Sequence, residues 1–151
     1  MDLHRRARSR RADPRSVPWE VDGETEVVAV DTTWGELQRW EAAPGVRTVG
    51  ELELIELLAQ GARLVDSRTA GSFGGRTIPG AVNLPHDETV QRQFELSRDG
   101  LNVLFCNGPQ CPQSPDAIRQ LLADGFPRDA LAYYRGGMHD WVTLALPTRE
   151  A

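Results

Sequence analysis

The sequence predicts an α/β fold in which helices cover both faces of a central parallel sheet of about five strands. Two observations lead to this fold class. Short apolar segments alternate with helical segments along the chain, and the apolar segments lack the polar face of a strand exposed to water. The chain has 151 residues, of which 40% are hydrophobic, and this size predicts a single domain with one core.

The predicted strands are compact apolar segments bounded by turn residues. They are Glu24–Val30, Ala62–Asp66, Ala81–Leu84, Leu101–Phe105 and Leu131–Tyr134. The turn Ile78-Pro79-Gly80 precedes the third of them. Ligands of parallel α/β sheets collect at the carboxyl ends of the strands, so a functional site is expected at those ends.

Two helices are predicted between the first and second strands. The first covers residues 33–42, ends at Pro44-Gly45, and has Trp34, Leu37 and Trp40 on one face. The second begins at Thr48, which has capping-box spacing to Glu51, and ends before Gly61. Its apolar stripe is formed by Leu52, Leu54, Ile55, Leu57 and Leu58.

Two further helices follow the last two strands. Ser114-Pro115-Asp116 is a strong helix start, with serine as N-cap, and this helix is expected to stop at Gly125. The final helix follows Gly136-Gly137 and carries Met138, Trp141, Val142 and Leu144.

Charge is segregated along the chain. Residues 1–15 contain six arginines and two aspartates, whereas the remainder contains 11 arginines and 20 carboxylates. We therefore expect a basic, disordered leader at residues 1–20, a strand-helix flank at 21–47 and an acidic folded domain at 48–147. The acidic domain argues against nucleic-acid binding. No apolar segment is long enough for a signal peptide or a membrane span, which predicts a cytoplasmic protein with no membrane partner.

The two cysteines, Cys106 and Cys111, are the main candidates for chemistry. They have neither the partners nor the spacing of a disulfide framework or a zinc site, so no metal and no cofactor are expected. Cys106 ends a predicted strand, and the loop after it enters the helix at Ser114. Backbone N–H groups of such a loop form an anion cradle that is expected to lower the pKa of the Cys106 thiol. The alternative is a small buried hydrophobe without a chemical role.

Four motifs resemble, in the same order, those of the rhodanese (sulfurtransferase) family. They are Leu64-Val-Asp-Ser-Arg68, Thr77-Ile-Pro-Gly-Ala81, Val103-Leu-Phe-Cys106 and Tyr134-Arg-Gly-Gly-Met-His-Asp-Trp141, and Phe73 stands at the family's usual aromatic position. The resemblance covers residues 48–147. It implies a rhodanese-like fold and a sulfur transfer in which Cys106 becomes a persulfide. A small sulfur donor such as thiosulfate, and a thiol or cyanide acceptor, are the partners that it implies.

The resemblance also implies a set of binding residues. The anion-binding loop comprises Asn107, Gly108, Pro109, Gln110, Cys111, Gln113 and Ser114, with the amides of residues 107–111 as the cradle. Asp66 and Arg68 are expected to form a polar pair at the rim, with Arg68 as a substrate contact. His86 and His139 are assigned no catalytic role.

Two departures from the family pattern leave other functions open. The loop is longer by two residues and has no cation, which disfavours thiosulfate as a donor and leaves a catalytically weak binding or regulatory module as an alternative. Related phosphatases and arsenate reductases have a long loop with Cys-x5-Arg, but Pro112 occupies the arginine position. Cys111 is a candidate resolving cysteine, so a Cys106/Cys111 redox protein or an oxyanion (arsenate-type) reductase is a further alternative.

Overall fold

A computed structural model describes residues 7–10, 19–21, 23–30, 37–70 and 75–150 of the chain. The strands of these residues are β1 (Ala7–Arg10), β2 (Trp19–Val21), β3 (Glu24–Val30), β4 (Arg47–Val49), β5 (Arg63–Asp66), β6 (Arg76–Thr77), β7 (Val82–Asn83), β8 (Asn102–Phe105), β9 (Leu131–Tyr134) and β10 (Arg149–Glu150). The α-helices are α1 (Glu51–Ala59), α2 (Gln113–Ala123) and α3 (Gly137–Thr143).

The main sheet has five strands in the order β4-β9-β8-β5-β7, and every neighbouring pair is parallel. This confirms the predicted α/β class and a parallel sheet of five strands, although the fifth strand is β4, which the sequence did not predict, and not Glu24–Val30. All four strands predicted after the flank are present, with ends that differ by one residue at most. β8 lies at the centre, where Phe105 pairs with Asp66 of β5. Since the strands are parallel, their carboxyl ends lie at one edge.

Alternating side chains of the strands face two separate cores. On one face, Phe105 belongs to a cluster with Leu54 of α1 and Trp141 of α3. On the other face, Leu104 belongs to a cluster with Ile118 of α2. Helices therefore cover both faces of the sheet, as predicted, and the absence of a polar face on the strands is explained by this double coverage.

The start of α1 differs from the prediction. Thr48 lies in β4 and its hydroxyl donates to the carbonyl of Trp40 at 2.7 Å, so it does not cap the helix. Gly50 is the N-cap, and its N–H donates to the Glu53 carboxylate at 3.4 Å. The end is as predicted, since Gly61 follows the helix with a φ of 94°.

The apolar stripe predicted for α1 is only partly buried. Leu54 is fully buried, whereas Leu52 and Ile55 are 81% and 43% exposed. Leu57 and Leu58 are partly buried against the core. The apolar residues of this short helix extend around more than half of its circumference, and only one side of the helix can contact the sheet.

The prediction of a helix at residues 33–42 is wrong for residues 37–42. Residues 33–36 lie outside the described part of the chain, and residues 37–42 are not helical. Their backbone groups bond to other elements instead. The Gln38 N–H donates to the Pro109 carbonyl at 2.7 Å, and the Arg135 guanidinium donates to the Gln38 carbonyl at 2.8 Å. These partners replace the internal hydrogen bonds that a helix would make.

The N-terminal residues form a second, three-stranded sheet in the order β1-β3-β2. β1 is parallel to β3, and β2 is antiparallel to it. β3 matches the predicted strand Glu24–Val30. β1 and the first two residues of β2 fall within residues 1–20, for which a disordered leader was expected. β10 pairs with β6, a pairing that the sequence did not predict.

Candidate active site

Three loops meet at the carboxyl edge of the main sheet. One follows β5 and carries Ser67 and Arg68, one follows β8 and begins with Cys106, and one follows β9 and carries Gly136-Gly137. The Cys106 loop occupies the middle because β8 is the central strand. The predicted site therefore lies where the fold is expected to place one.

The Cys106 thiol is enclosed by its own loop. The side chain is 1% exposed, and its S–H donates to the Cys111 carbonyl at 3.4 Å. The Ser114 N–H donates to the Cys106 sulfur, also at 3.4 Å. The sulfur thus lies at the N-terminus of α2, where backbone N–H groups lack partners within the helix and favour negative charge.

The start of α2 explains why the Ser114 N–H is available. Pro112 is the N-cap and Gln113 is the first helical residue. The prediction that Ser114 is the N-cap is therefore wrong. Proline is tolerated within a first helical turn because the N–H that it lacks would have no helical partner there, so the helix begins before Pro115. Ser114 becomes the second residue of the helix, and its N–H points to the cysteine. Gly125 follows the end of α2 with a φ of 88°.

The N-terminus of α3 is hydrogen-bonded to the backbone of the cysteine loop. The Met138 N–H donates to the Cys106 carbonyl at 3.0 Å, and the His139 N–H donates to the Asn107 carbonyl at 2.8 Å. In a trans peptide the C=O and N–H point in opposite directions. Because α3 binds the carbonyl of Cys106, the N–H of the same peptide, which belongs to Asn107, points towards the thiols.

Gly137 makes this contact possible. It has a φ of 58°, and a Cβ atom there would lie 2.3 Å from the Cys106 carbonyl oxygen and 2.8 Å from the Gly108 nitrogen. Only glycine allows α3 to approach the loop so closely. Gly108 is also crowded, since a Cβ atom there would lie 3.0 Å from His139 Cβ.

The rest of the loop only partly forms the expected cradle. The Cys111 N–H is bonded to the Gly108 carbonyl at 3.0 Å, and Pro109 has no N–H. Hydrogen bonds to the Cys111 sulfur come from the backbone N–H groups of Asn107 and Gln113. The amides directed at sulfur therefore belong to residues 107, 113 and 114, not to the whole range 107–111. Gln110 is half-buried beside them.

The two thiols have pKa values shifted in opposite directions. Burial raises the pKa of Cys106, and its interaction with the Cys111 thiol raises it further. This contradicts the expectation of a lowered pKa, because burial outweighs the amide and hydroxyl of Ser114. The pKa of Cys111 is lowered, first by the hydrogen bond from Cys106 and then by the two amides and the nearby charge of Arg68. Cys111 is therefore the more acidic thiol of the pair.

Asp66 and Arg68 form a buried ion pair beneath the loop. Arg68 donates from Nε and Nη2 to the two Asp66 carboxylate oxygens at 2.9 and 2.7 Å, and both residues are at most 2% exposed. Thr77 donates its hydroxyl to Asp66 at 2.7 Å. Arg68 also donates to the Asn107 side-chain oxygen at 3.4 Å. The predicted polar pair is present, but it is buried and does not lie at the rim, and Arg68 supports the loop through Asn107.

Tyr133 was missed by the sequence prediction. Its side chain is fully buried, and its hydroxyl finds no hydrogen-bond partner among the residues that the structure describes. Burial raises its pKa, and negative charge on either cysteine raises it further, so the hydroxyl stays protonated near the thiols. Ser67 also has a buried hydroxyl without a partner in the described chain. Tyr133 looked like an ordinary strand position, and Ser67 was only the middle residue of an Asp-x-Arg motif, so no pattern distinguished them.

Across the described ranges there is no group of three or more His, Cys, Asp or Glu side chains that could hold a metal ion. The same ranges contain no helix that is long and apolar enough to cross a membrane.

The opposite pKa shifts predict how the thiols titrate. We expect the first proton of the wild-type pair to be lost at a lower pH than that of an ordinary cysteine, because the pKa of Cys111 is lowered. In Cys111→Ser we expect the remaining thiol to ionise at a higher pH than an ordinary cysteine, because burial still raises the pKa of Cys106. Thiolate ultraviolet absorbance against pH measures both, with circular dichroism to check folding. Identical titrations of the two proteins would contradict this assignment.

The fold and the site together define an α/β domain with a cysteine-centred loop at the carboxyl end of its central strand. The family model of the rhodanese-like domain matches residues 51–144. The chain belongs to the rhodanese-like domain family. This confirms the resemblance carried by the four motifs.

The chain is also similar in sequence to a protein with a different name. The HTH-type transcriptional regulator Rv0324 of Mycobacterium tuberculosis is 36% identical over 90 residues, which make up 58% of this chain and 37% of that protein. The chain thus matches little more than a third of this relative.

Solved structures show the same fold. A Lactobacillus plantarum protein is 19% identical with a TM-score of 0.60, over 68% of this chain and 87% of that chain. A rhodanese-related protein from Thermoplasma volcanium is 21% identical with a TM-score of 0.56, over 68% and 97% of the two chains. Thiosulfate sulfurtransferase from Pseudomonas aeruginosa is 25% identical with a TM-score of 0.55, over 74% of this chain and 21% of that chain.

Proposed function

We propose that this domain is a sulfurtransferase that carries a sulfane sulfur as a persulfide on Cys106. The observation that carries the proposal is the position of the Cys106 sulfur, which lies in a closed loop and accepts the Ser114 N–H at the start of α2. An N–H at a helix start stabilises a thiolate and equally the terminal anion of a persulfide. Family membership and the sulfurtransferase among the similar structures support the same chemistry.

The reaction proceeds in two stages. The Cys106 thiolate attacks the sulfane sulfur of the donor, forms a new S–S bond, and expels sulfite from thiosulfate or a thiol from an organic persulfide. An acceptor thiolate or cyanide then attacks the outer sulfur and releases Cys106. The partners are thus small sulfur donors and thiol acceptors, and we place the reaction in the cytoplasm.

The charge of the site favours an organic persulfide over thiosulfate as the donor. Residues 106–114 contain no cation, and the guanidinium of Arg68 is paired with Asp66. A sulfonate group in the cradle would therefore lack a charge-assisted partner, an interaction worth about 1.5–3 kcal/mol. Since Cys106 is 1% exposed, the loop must open for any donor to reach it.

The test uses two matched single-cysteine proteins. Cys111→Ser retains only Cys106, and Cys106→Ser retains only Cys111. Each is incubated with thiosulfate or with an organic persulfide, and intact mass spectrometry detects an added sulfur atom. We expect Cys111→Ser to gain one sulfur and to lose it to cyanide as thiocyanate, and Cys106→Ser to gain none. No adduct on Cys111→Ser, or an equal adduct on Cys106→Ser, would overturn the proposal.

A second candidate is a sulfur-responsive regulatory module with little turnover. The relative named as a transcriptional regulator favours it, and so does the loop without a cation. The two candidates differ in steady-state kinetics. A sulfurtransferase forms thiocyanate over many cycles, whereas a regulatory module forms the Cys106 adduct once and then stops.

A further inference from the structure

Cys111 brings a second sulfur nucleophile into the enclosed space around Cys106. Both side chains are 1% exposed, and both lie in one loop that is tightened by the turn from the Cys111 N–H to the Gly108 carbonyl. The Cys106 thiol donates to the Cys111 carbonyl at 3.4 Å and also interacts with the Cys111 thiol. The two sulfurs are therefore neighbours inside the protein.

The surroundings of Cys111 favour its thiolate. Two backbone amides, those of Asn107 and Gln113, donate to its sulfur, and the positive charge of Arg68 lies nearby. Cys106 has the opposite balance, with burial opposing its ionisation. When Cys106 carries a persulfide, its hydrogen bond to Cys111 is lost, but the amides of Asn107 and Gln113 and the charge of Arg68 still favour the Cys111 thiolate. That thiolate lies in the same enclosed loop as the electrophilic S–S bond on Cys106.

We propose that the two cysteines give this domain a further activity, the reductive release of sulfane sulfur as hydrosulfide. This inference rests on the proposed Cys106 persulfide. The Cys111 thiolate attacks the inner sulfur, Cys106 Sγ, and a Cys106–Cys111 disulfide forms. The bond between Cys106 Sγ and the outer sulfur breaks, and the outer sulfur leaves with the electron pair as HS⁻. The sulfane sulfur gains two electrons, and the two cysteines lose them.

The cycle is completed by a low-molecular-weight thiol as reductant. Two equivalents reduce the Cys106–Cys111 disulfide by thiol–disulfide exchange, leave as their own disulfide, and restore both protein thiols. The intramolecular step competes with transfer to an external acceptor because the attacking and electrophilic sulfurs lie in one loop. Net, one persulfide and two thiols yield hydrosulfide, one disulfide and the thiol of the donor.

The test compares wild-type protein with Cys111→Ser after addition of one equivalent of an organic persulfide and removal of small thiols. We expect wild-type protein to become two hydrogen atoms lighter, with a disulfide that maps to Cys106 and Cys111, and to release one equivalent of sulfide. We expect Cys111→Ser to stay one sulfur atom heavier and to release no sulfide above the Cys106→Ser background. The wild-type mass decides the question even where a variant folds poorly.

The outcomes separate this inference from the proposed function. Wild-type protein that stays one sulfur heavier and releases no sulfide overturns the reductive step and leaves sulfur transfer intact. A stable persulfide that maps to Cys111 in wild-type protein also overturns it, because attack then occurs on the outer sulfur. If neither protein ever gains sulfur or loses hydrogen, the proposed function fails, and this inference fails with it.

Discussion

Replacing Gly137 by alanine is expected to lower the free energy of unfolding by more than about 3 kcal/mol and to abolish sulfur loading of Cys106. The residue has a φ of 58°, which alone costs about 1–2 kcal/mol for a residue with a Cβ. The new Cβ would also lie 2.3 Å from the Cys106 carbonyl oxygen. Backbone atoms cannot rotate away as a side chain can, so α3 must withdraw from the loop.

Gly125→Ala is the matched control. Gly125 has a φ of 88°, and a Cβ atom there would have nothing within 4 Å. The free energy of unfolding of this variant should fall only by the conformational contribution of about 1–2 kcal/mol. The variant should keep its reactivity with a persulfide donor. Chemical denaturation and intact mass spectrometry measure the two properties. Equal losses in both variants would show that the close contact between α3 and the loop contributes nothing.

Removing the carboxylate of Asp66 is expected to destabilise the protein by about 3–5 kcal/mol, because Asp66→Ala leaves the Arg68 charge buried and without its partner. The carboxylate accepts two hydrogen bonds from the Arg68 side chain and one from Thr77, and it is fully buried. Arg68 in turn bonds to the Asn107 side chain, so the loop should loosen as well. Denaturation and the rate of thiol alkylation measure both effects.

Glu88→Ala provides the comparison, since Glu88 also pairs with an arginine at 2.7 Å, but on the surface. Its side chain is 53% exposed, and solvent-exposed ion pairs contribute little. We expect the free energy of unfolding and the rate of thiol alkylation of this variant to be close to those of the wild type. If the two variants are equally stable, the buried pair does not support the site.

The fold was predictable because its signal is repeated along the chain. The central strands β5, β8 and β9 are almost completely buried, so Leu64, Leu104 and Tyr133 all contribute to the same apolar pattern. The predicted helix at 33–42 failed for the opposite reason. Its periodicity was local, whereas Gln38 bonds to Pro109 and Arg135, which are distant in sequence.

The site was predictable in its position but not in its electrostatics. The strand end and the helix start fix where Cys106 lies, and both can be recognised in the sequence. The pKa of its thiol depends on enclosure by Cys111 and α3, and the sequence carries no local signal for burial of that kind. The hydrogen bonds that the Cys111 sulfur accepts determine that Cys111, rather than Cys106, ionises first. Spacing alone left the two thiols indistinguishable.

The hydrogen bond from the Gln38 N–H to the Pro109 carbonyl ties the cysteine loop to the segment that precedes β4. Pro109 lies between the two cysteines, so a rearrangement of the loop that moves the Pro109 carbonyl breaks or shifts its hydrogen bond with Gln38. Linkage is reciprocal: a ligand that draws residues 37–40 away from the loop changes the free energy of loop opening, and sulfur loading changes the affinity for that ligand by the same factor. Sulfur loading of the cysteines and ligand binding to residues 37–40 would thus both depend on the equilibrium between the closed and the open loop.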